Sequence, residues 1–62
     1  MQNITDIPKL MQAGMDHHRS GRLRQAQVNY QQILGLQPGN LDAAHLLGLS
    51  LHQMVMRLRV VI

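Results

Sequence analysis

The chain has 62 residues, carries a formal net charge of +3 and contains no cysteine. A chain of this length buries only about 60% of the surface that its unfolded form exposes, so a lone domain of this size is marginally stable. Without cysteine, neither disulfide bonds nor a thiolate zinc site can add stability, which leaves a partner subunit as the obvious source. The sequence shows neither a secretory signal nor the roughly 20 consecutive apolar residues of a membrane span. We therefore expect a soluble, cytoplasmic chain.

The first predicted helix covers residues 7–19. Thr5 and Asp6 offer side-chain oxygens that can cap a helix N-terminus, and Pro8 is tolerated in the first turn, where its missing N–H would have no partner. Apolar or small residues then recur at the three-and-four spacing of one helical face, until the Ser-Gly pair at 20–21 interrupts it. These residues are Ile7, Leu10, Met11, Ala13, Gly14 and Met15.

Two further helices are predicted, over residues 22–35 and from 41 to about 60. The same spacing recurs in the second helix, and the Pro-Gly pair that follows it ends the pattern. At the start of the third, Asn40 is a favourable N-cap and Asp42 lies at the positive end of the helix dipole. The apolar positions of the second helix are Leu23, Ala26, Tyr30, Ile33 and Leu34, and those of the third are Ala44, Leu47, Leu51, Met54 or Val55, Leu58 and Val61.

The last six residues, RLRVVI, allow a second interpretation, because their β-branched side chains could extend a strand. Such a strand would have no partner within this chain, since no earlier stretch alternates apolar and polar residues for long. The unbroken three-and-four spacing favours a helix at this end. The sequence thus predicts an all-α fold.

The chain also resembles itself at an offset of 34 residues. The offset pairs Ala13-Gly14 with Leu47-Gly48, and His18 with His52. It also pairs Ile7 with Leu41, Asp6 with Asn40 and Met15 with Leu49. Each pair preserves size or capping role. A glycine lets two helix backbones approach closely, and Ala26 offers a small surface on the helix that packs back.

These residues resemble the tetratricopeptide repeat, whose period is 34 and whose pattern is W-x2-L-G-x2-Y, then A-x3-F, then P. The corresponding residues here are Leu10, Ala13-Gly14 and His17, then Ala26 and Tyr30, then Pro38. The resemblance implies an antiparallel helical hairpin with Tyr30 wedged between its helices. Leu10, His17 and Ile33 depart from the family pattern. The residues expected to pack in the hairpin are Leu10, Ala13, Gly14, Ala26, Tyr30, Ile33, Pro38 and Gly48.

The resemblance covers about one and a half repeats, and the chain is predicted to form a single unit, 1–62. A full repeat spans about 7–40, the first helix of a second repeat spans about 41–53, and the tail 54–62 leaves the pattern. Because that tail has no glycine turn, helix three should run on without a fourth helix. We interpret the chain as a truncated, engineered or frame-shifted fragment of a longer array.

Arrays of this kind need about three repeats to bury their faces, so one and a half repeats predict a homo-oligomer. Helices exchanged between copies would be one way to assemble it. The residues expected to mediate self-association are Leu47, Leu51, Met54, Leu58 and Val61.

The family resemblance further implies a concave groove that holds a peptide segment of another protein. The groove would be lined by Met11, Met15, His18, Arg19, Asp42, His45, Leu49 and His52. The lysine and asparagine that clamp carboxylate ends in some family members are replaced by Met11 and Met15, which favours a mixed apolar ligand. Alternatively, these methionines pack against a second copy of the chain.

No enzyme, cofactor or metal site is predicted. His45 and His52 are seven residues apart, about 10 Å along a helix, which is too far to bind one ion. His18 would share a face with them only if helices one and three lie side by side. Ser20 and Ser50 show no obvious base or orienting acid in the sequence.

Nucleic acid and a membrane surface are two other classes of partner, and the sequence favours a protein partner over both. Nucleic-acid binding would rest on the arginines, but there is no aromatic stacker for single strands and few cations lie near the glutamine-rich second helix. These arginines are Arg19, Arg22, Arg24, Arg57 and Arg59. Membrane-surface attachment would use the tail from Met54, whose stripe more plausibly packs on another helix.

Overall fold

The computed structural model describes residues 6–61, and for Val60 and Val61 it describes the helix but not the side chains. Over this range the chain forms three α-helices and no strand: α1 (Ile7–Arg19), α2 (Leu23–Leu36) and α3 (Leu41–Val61). The all-α prediction is confirmed, and the predicted bounds agree within one residue. The helical interpretation of the tail is confirmed up to Val61. The predicted cap at Thr5 and the last residue, Ile62, lie outside the described residues.

The start of α1 is fixed by a side-chain cap. The Asp6 carboxylate accepts a hydrogen bond from the backbone N–H of Lys9 at 3.2 Å, which satisfies one of the free donors in the first turn. Pro8 lies in the same turn, where a missing N–H costs nothing. The sequence signals at this end therefore correspond to real contacts.

The turn between α1 and α2 requires a glycine. Gly21 adopts a φ of 82°, in the left-handed region that side chains with a Cβ disfavour. Its N–H donates to the carbonyl of His18 at 3.1 Å, and the N–H of Arg22 donates to the carbonyl of His17 at 2.8 Å. This pair of bonds is the Schellman ending of a helix, which reverses the chain within three residues.

The second connection ends in another side-chain cap. The Asn40 side-chain oxygen accepts a hydrogen bond from the N–H of Ala43 at 2.9 Å, as the sequence predicts for the start of α3. Pro38 was expected to pack between helices, but it is exposed in this loop. Its contribution is a fixed backbone angle that prevents α2 from continuing.

Packing centres on α2, which contacts both other helices. The buried cluster consists of Ala26, Tyr30, Ile33 and Ala43, and partly buried side chains pack around it. The aromatic ring of Tyr30 lies directly on Gly14. A Cβ built there would come 2.5 Å from Tyr30 Cε1, so any side chain at this position would force the ring or a helix to shift. The glycine of α1 thus accommodates the phenol ring of α2 itself rather than a small residue such as Ala26.

The molecule is thin, with principal extents of 43 × 24 × 13 Å. Three helices of this length cannot cover all of their apolar side chains. Those at least 39% exposed are Met15, Val28, Leu36, Leu41, Leu49, Leu51, Val55, Met56 and Leu58.

Candidate interaction surface

A shallow cleft of about 160 Å³ lies between α1 and α3 with α2 at its floor. Its lining consists of Met15, His18, Arg19, Tyr30, Leu46 and Leu49. Four of the eight residues predicted for a groove, namely Met15, His18, Arg19 and Leu49, are therefore brought together. The other four lie outside this lining: Met11 is partly buried against the core, whereas Asp42, His45 and His52 are exposed on α3.

Hydrogen bonds from His18 tie α1 to α3 beside this cleft. His18 Nε2 lies 2.8 Å from Gln53 Oε1, and His18 Nδ1 lies 3.1 Å from the Ser50 hydroxyl. The Ser50 hydroxyl also donates to the carbonyl of Leu46 at 3.0 Å. The Ser50 hydroxyl has a single hydrogen, so His18 Nδ1 and the Leu46 carbonyl compete for it, while Nε2 pairs with the Gln53 side chain.

This contact corrects one expectation from the sequence, because Ser50 does have a neighbouring imidazole. Ser50 is nevertheless fully buried, and its hydroxyl is bonded within its own helix. The group on the far side of His18 is the amide of Gln53, whereas an orienting carboxylate would be needed to favour proton abstraction. The arrangement therefore fixes the position of two helices and does not resemble a nucleophile open to substrate.

At the rim of the cleft, Arg19 is paired within its own helix. Its guanidinium contacts the Asp16 carboxylate, which also accepts a hydrogen bond from the Gln12 side chain at 3.2 Å. These bonds, first from Arg19 and then from Gln12, lower the pKa of Asp16 from its ordinary value. The rim is thus close to electrically neutral, which leaves apolar contact as the main interaction that the cleft offers.

Tyr30 lies at the floor of the cleft with its hydroxyl unpaired. The residue is fully buried, and no described residue accepts or donates a hydrogen bond to its oxygen. Burial raises the pKa of Tyr30, since the ionised phenolate would lose its hydration. The sequence indicated the packing role of Tyr30 but gave no sign that the polar tip would lack a partner.

Most of the large apolar side chains that remain exposed lie on α3. Six positions at alternating steps of three and four share one side of this helix, and all are exposed. We call them the open face: Leu41, Ala44, Gly48, Leu51, Val55 and Leu58. No other helix of residues 6–61 covers this side. Gly48, unlike its counterpart Gly14, has no described atom within 4 Å of the position where a Cβ would lie.

The residues of α3 that pack against the rest of the fold are not those of the predicted apolar stripe but lie beside it on the helix surface. Ala43 and Ser50 are fully buried there, whereas Ala44 is exposed. Of the five residues predicted for self-association, Leu51 and Leu58 lie on the open face, while Leu47 and Met54 are partly buried. Met54 accepts a contact from the Gln27 side chain at 3.7 Å. The side chain of Val61 lies outside the description.

Of the other residues predicted to pack between helices, Ile33 belongs to the core and Leu10 packs against it, while Ala13 is half-buried. Three of the five arginines considered for nucleic-acid binding, Arg22, Arg24 and Arg57, line one shallow surface beside the first turn. Arg22 Nε donates to His17 Nδ1 at 2.9 Å, and Arg57 Nη1 donates to the carbonyl of Gly21 at 3.3 Å. These contacts hold two of the five arginines near the first turn.

Residues 6–61 contain no cluster of three or more histidine or acidic side chains that could hold a metal ion. Within the same range, no helix combines the length and apolar character needed to cross a bilayer. Comparison of the chain with protein-family models, with curated proteins and with solved structures gave no match.

Proposed function

We propose that this chain is a protein-interaction module whose principal partner is a further copy of itself, and that it carries out no catalysis. The observation that supports the proposal most directly is the open face of α3. On this face Leu41 is 81% exposed and Leu58 is 66% exposed. Few side chains of the described residues are completely buried, so the open face is a large part of the apolar surface that a partner could cover. Apolar rows of this length usually mark a surface that another helix covers.

The proposal includes the resemblance to tetratricopeptide repeats, with α1 and α2 as the hairpin and the start of α3 as the next first helix. Two features support it. The turn at Gly21 reverses the chain sharply, and Gly14 receives the ring of Tyr30 between α1 and α2. The open face of α3 is then the side on which the following helix of an array would pack, and in this chain a second copy takes its place.

The cleft between α1 and α3 is a secondary part of the proposal. It would hold a short apolar peptide segment from another protein, because Met15 and Leu49 offer adaptable contacts. The Tyr30 hydroxyl below them is buried, so the contacts offered to such a peptide are mainly apolar. We place this activity in the cytoplasm and expect neither a membrane nor a nucleic acid as partner.

Sedimentation across a wide range of protein concentration tests the main proposal. We expect the average mass to rise with concentration from one copy to a defined oligomer, with helical far-ultraviolet circular dichroism throughout. A single compact copy at every concentration would refute it. For the nucleic-acid alternative, binding to random duplex DNA that falls steeply with salt would be the positive sign.

A further inference from the structure

The open face of α3 has the spacing of a two-helix seam. Its six positions alternate in steps of three and four, as do the core positions of a coiled coil. They extend over 18 of the 21 residues of α3, from its first residue, Leu41, to Leu58. The face is therefore long enough to pair with one whole helix.

When a second copy of α3 lies antiparallel to the first, small residues of one open face lie opposite larger residues of the other. Around the midpoint between Leu49 and Ser50, the six positions are symmetric. An antiparallel partner then places Leu58 of the partner subunit opposite Leu41, Val55 of the partner subunit opposite Ala44, and Leu51 of the partner subunit opposite Gly48. In the two inner layers a small residue thus faces a larger one, which fills space evenly.

A parallel pair fits less well. It would set Gly48 opposite its own counterpart and Ala44 opposite its own, which leaves gaps at two layers, and it would align the helix dipoles. The antiparallel pair opposes the dipoles and brings the backbones closest at its centre, where Gly48 lies. A two-fold axis there makes both contact surfaces identical.

We propose that two copies of this chain pair through their open faces in this antiparallel register, with Gly48 of each receiving Leu51 of the partner subunit. The inference rests on the proposed function, because it requires that the chain self-associates. It also gives Gly48 a role. Glycine weakens a helix interior, and in a single copy no described neighbour would prevent a side chain at this position.

The first experiment compares pairs of substitutions matched in residue type and exposure. Leu51 and Leu36 are 45% and 46% exposed, and Val55 and Val28 are both 53% exposed, but only Leu51 and Val55 belong to the open face. Leu51→Glu and Val55→Glu should each weaken dimerisation about a hundredfold or more, because a carboxylate would be buried in the seam. Leu36→Glu and Val28→Glu should leave the dimerisation constant within about threefold.

The second experiment measures orientation by oxidative cross-linking, for which the absence of native cysteine is an advantage. Leu41→Cys and Leu58→Cys are prepared as separate variants. In the antiparallel pair these two positions face each other, so a mixture should form disulfide-linked dimers while either variant alone should not. A mixture of Leu58→Cys with Leu36→Cys is the control and should remain unlinked.

Each other outcome has a definite meaning. Cross-linking of either variant with itself would indicate a parallel pair and overturn the register. Association that survives Leu51→Glu and Val55→Glu but is lost in Met15→Glu would move the contact to the cleft, overturning the seam while the proposed function stands. A wild-type chain that never associates would overturn both. Circular dichroism of each variant shows whether its helices are retained.

Discussion

The contact between Gly14 and Tyr30 can be tested by adding one methyl group. In Gly14→Ala the new Cβ would lie 2.5 Å from Tyr30 Cε1 and 3.0 Å from Cζ, closer than real side chains approach. The ring is fully buried and cannot swing into solvent. Alanine favours a helix interior over glycine by about 0.5–1 kcal/mol, but overpacking a core costs about 1–3 kcal/mol. We expect a net loss of roughly 0–2.5 kcal/mol.

Gly48→Ala is the matched control, since Gly48 also lies inside a helix and no described atom lies within 4 Å of the added Cβ. At concentrations where the chain is a monomer, it should gain about 0.5–1 kcal/mol. The two variants should therefore differ in unfolding free energy by about 1–3 kcal/mol. For a domain of this size, each kcal/mol shifts the thermal midpoint by about 4–8 °C.

Urea and thermal unfolding, followed by far-ultraviolet circular dichroism at fixed protein concentration, provide the comparison. A double-mutant cycle isolates the contact: in the Tyr30→Ala background the ring is absent, so Gly14→Ala should become stabilising. Equal stabilisation by Gly14→Ala and Gly48→Ala in the wild-type background would refute the close approach of α1 and α2 at this position.

Three further predictions concern buried polar groups. Tyr30→Phe should leave the unfolding free energy unchanged or raise it by up to about 1 kcal/mol in urea titrations, because the hydroxyl it removes has no described partner; a clear loss would reveal a hydrogen bond. Burial raises the pKa of Tyr30 in the folded chain. The free energy of unfolding should therefore be independent of this group below a pH of about 10, the ordinary pKa of tyrosine, and should fall as the pH rises toward the folded-state pKa. In an alkaline titration, the phenolate absorbance of this sole tyrosine should appear together with loss of helix, and titration near pH 10 with helices intact would contradict this. Ser50→Ala should lower the unfolding free energy by about 1 kcal/mol, whereas the exposed Ser20→Ala should change it by less than about 0.5 kcal/mol, and equal effects would argue against the bond to His18.

The helices were predictable because their signals are local. Capping side chains such as Asp6 and Asn40 act on the N–H groups two or three residues ahead, and Gly21 acts through its own backbone angle. The spacing of apolar residues likewise needs no knowledge of the rest of the fold. The packing of Tyr30 between the first two helices was predicted as well, but its direct contact with Gly14 was not, because the sequence suggested the small Ala26 at that position.

The rotation of α3 about its axis was not predictable in the same way. The sequence placed Ala44 in the apolar stripe of the third helix, but Ala44 is exposed, and Ala43 and Ser50 are the fully buried residues of α3. The difference arises because α2 already presents Tyr30 and Ile33, and small residues on α3 allow closer packing against them. The predicted groove is incomplete for the same reason, since this rotation leaves His45 and His52 away from the cleft.

Ser50 also limits how α3 can move along its neighbours. If α3 slid by one helical turn, Leu46 or Met54 would occupy the space that now holds a small hydroxyl-bearing side chain. Neither can replace the bond to His18, and both are too large for a site that is closed to solvent. Ser50 thus fixes the position of α3 along its own axis. Any partner that binds the exposed side of α3 therefore meets the same residues at the same positions relative to α1 and α2 in every molecule.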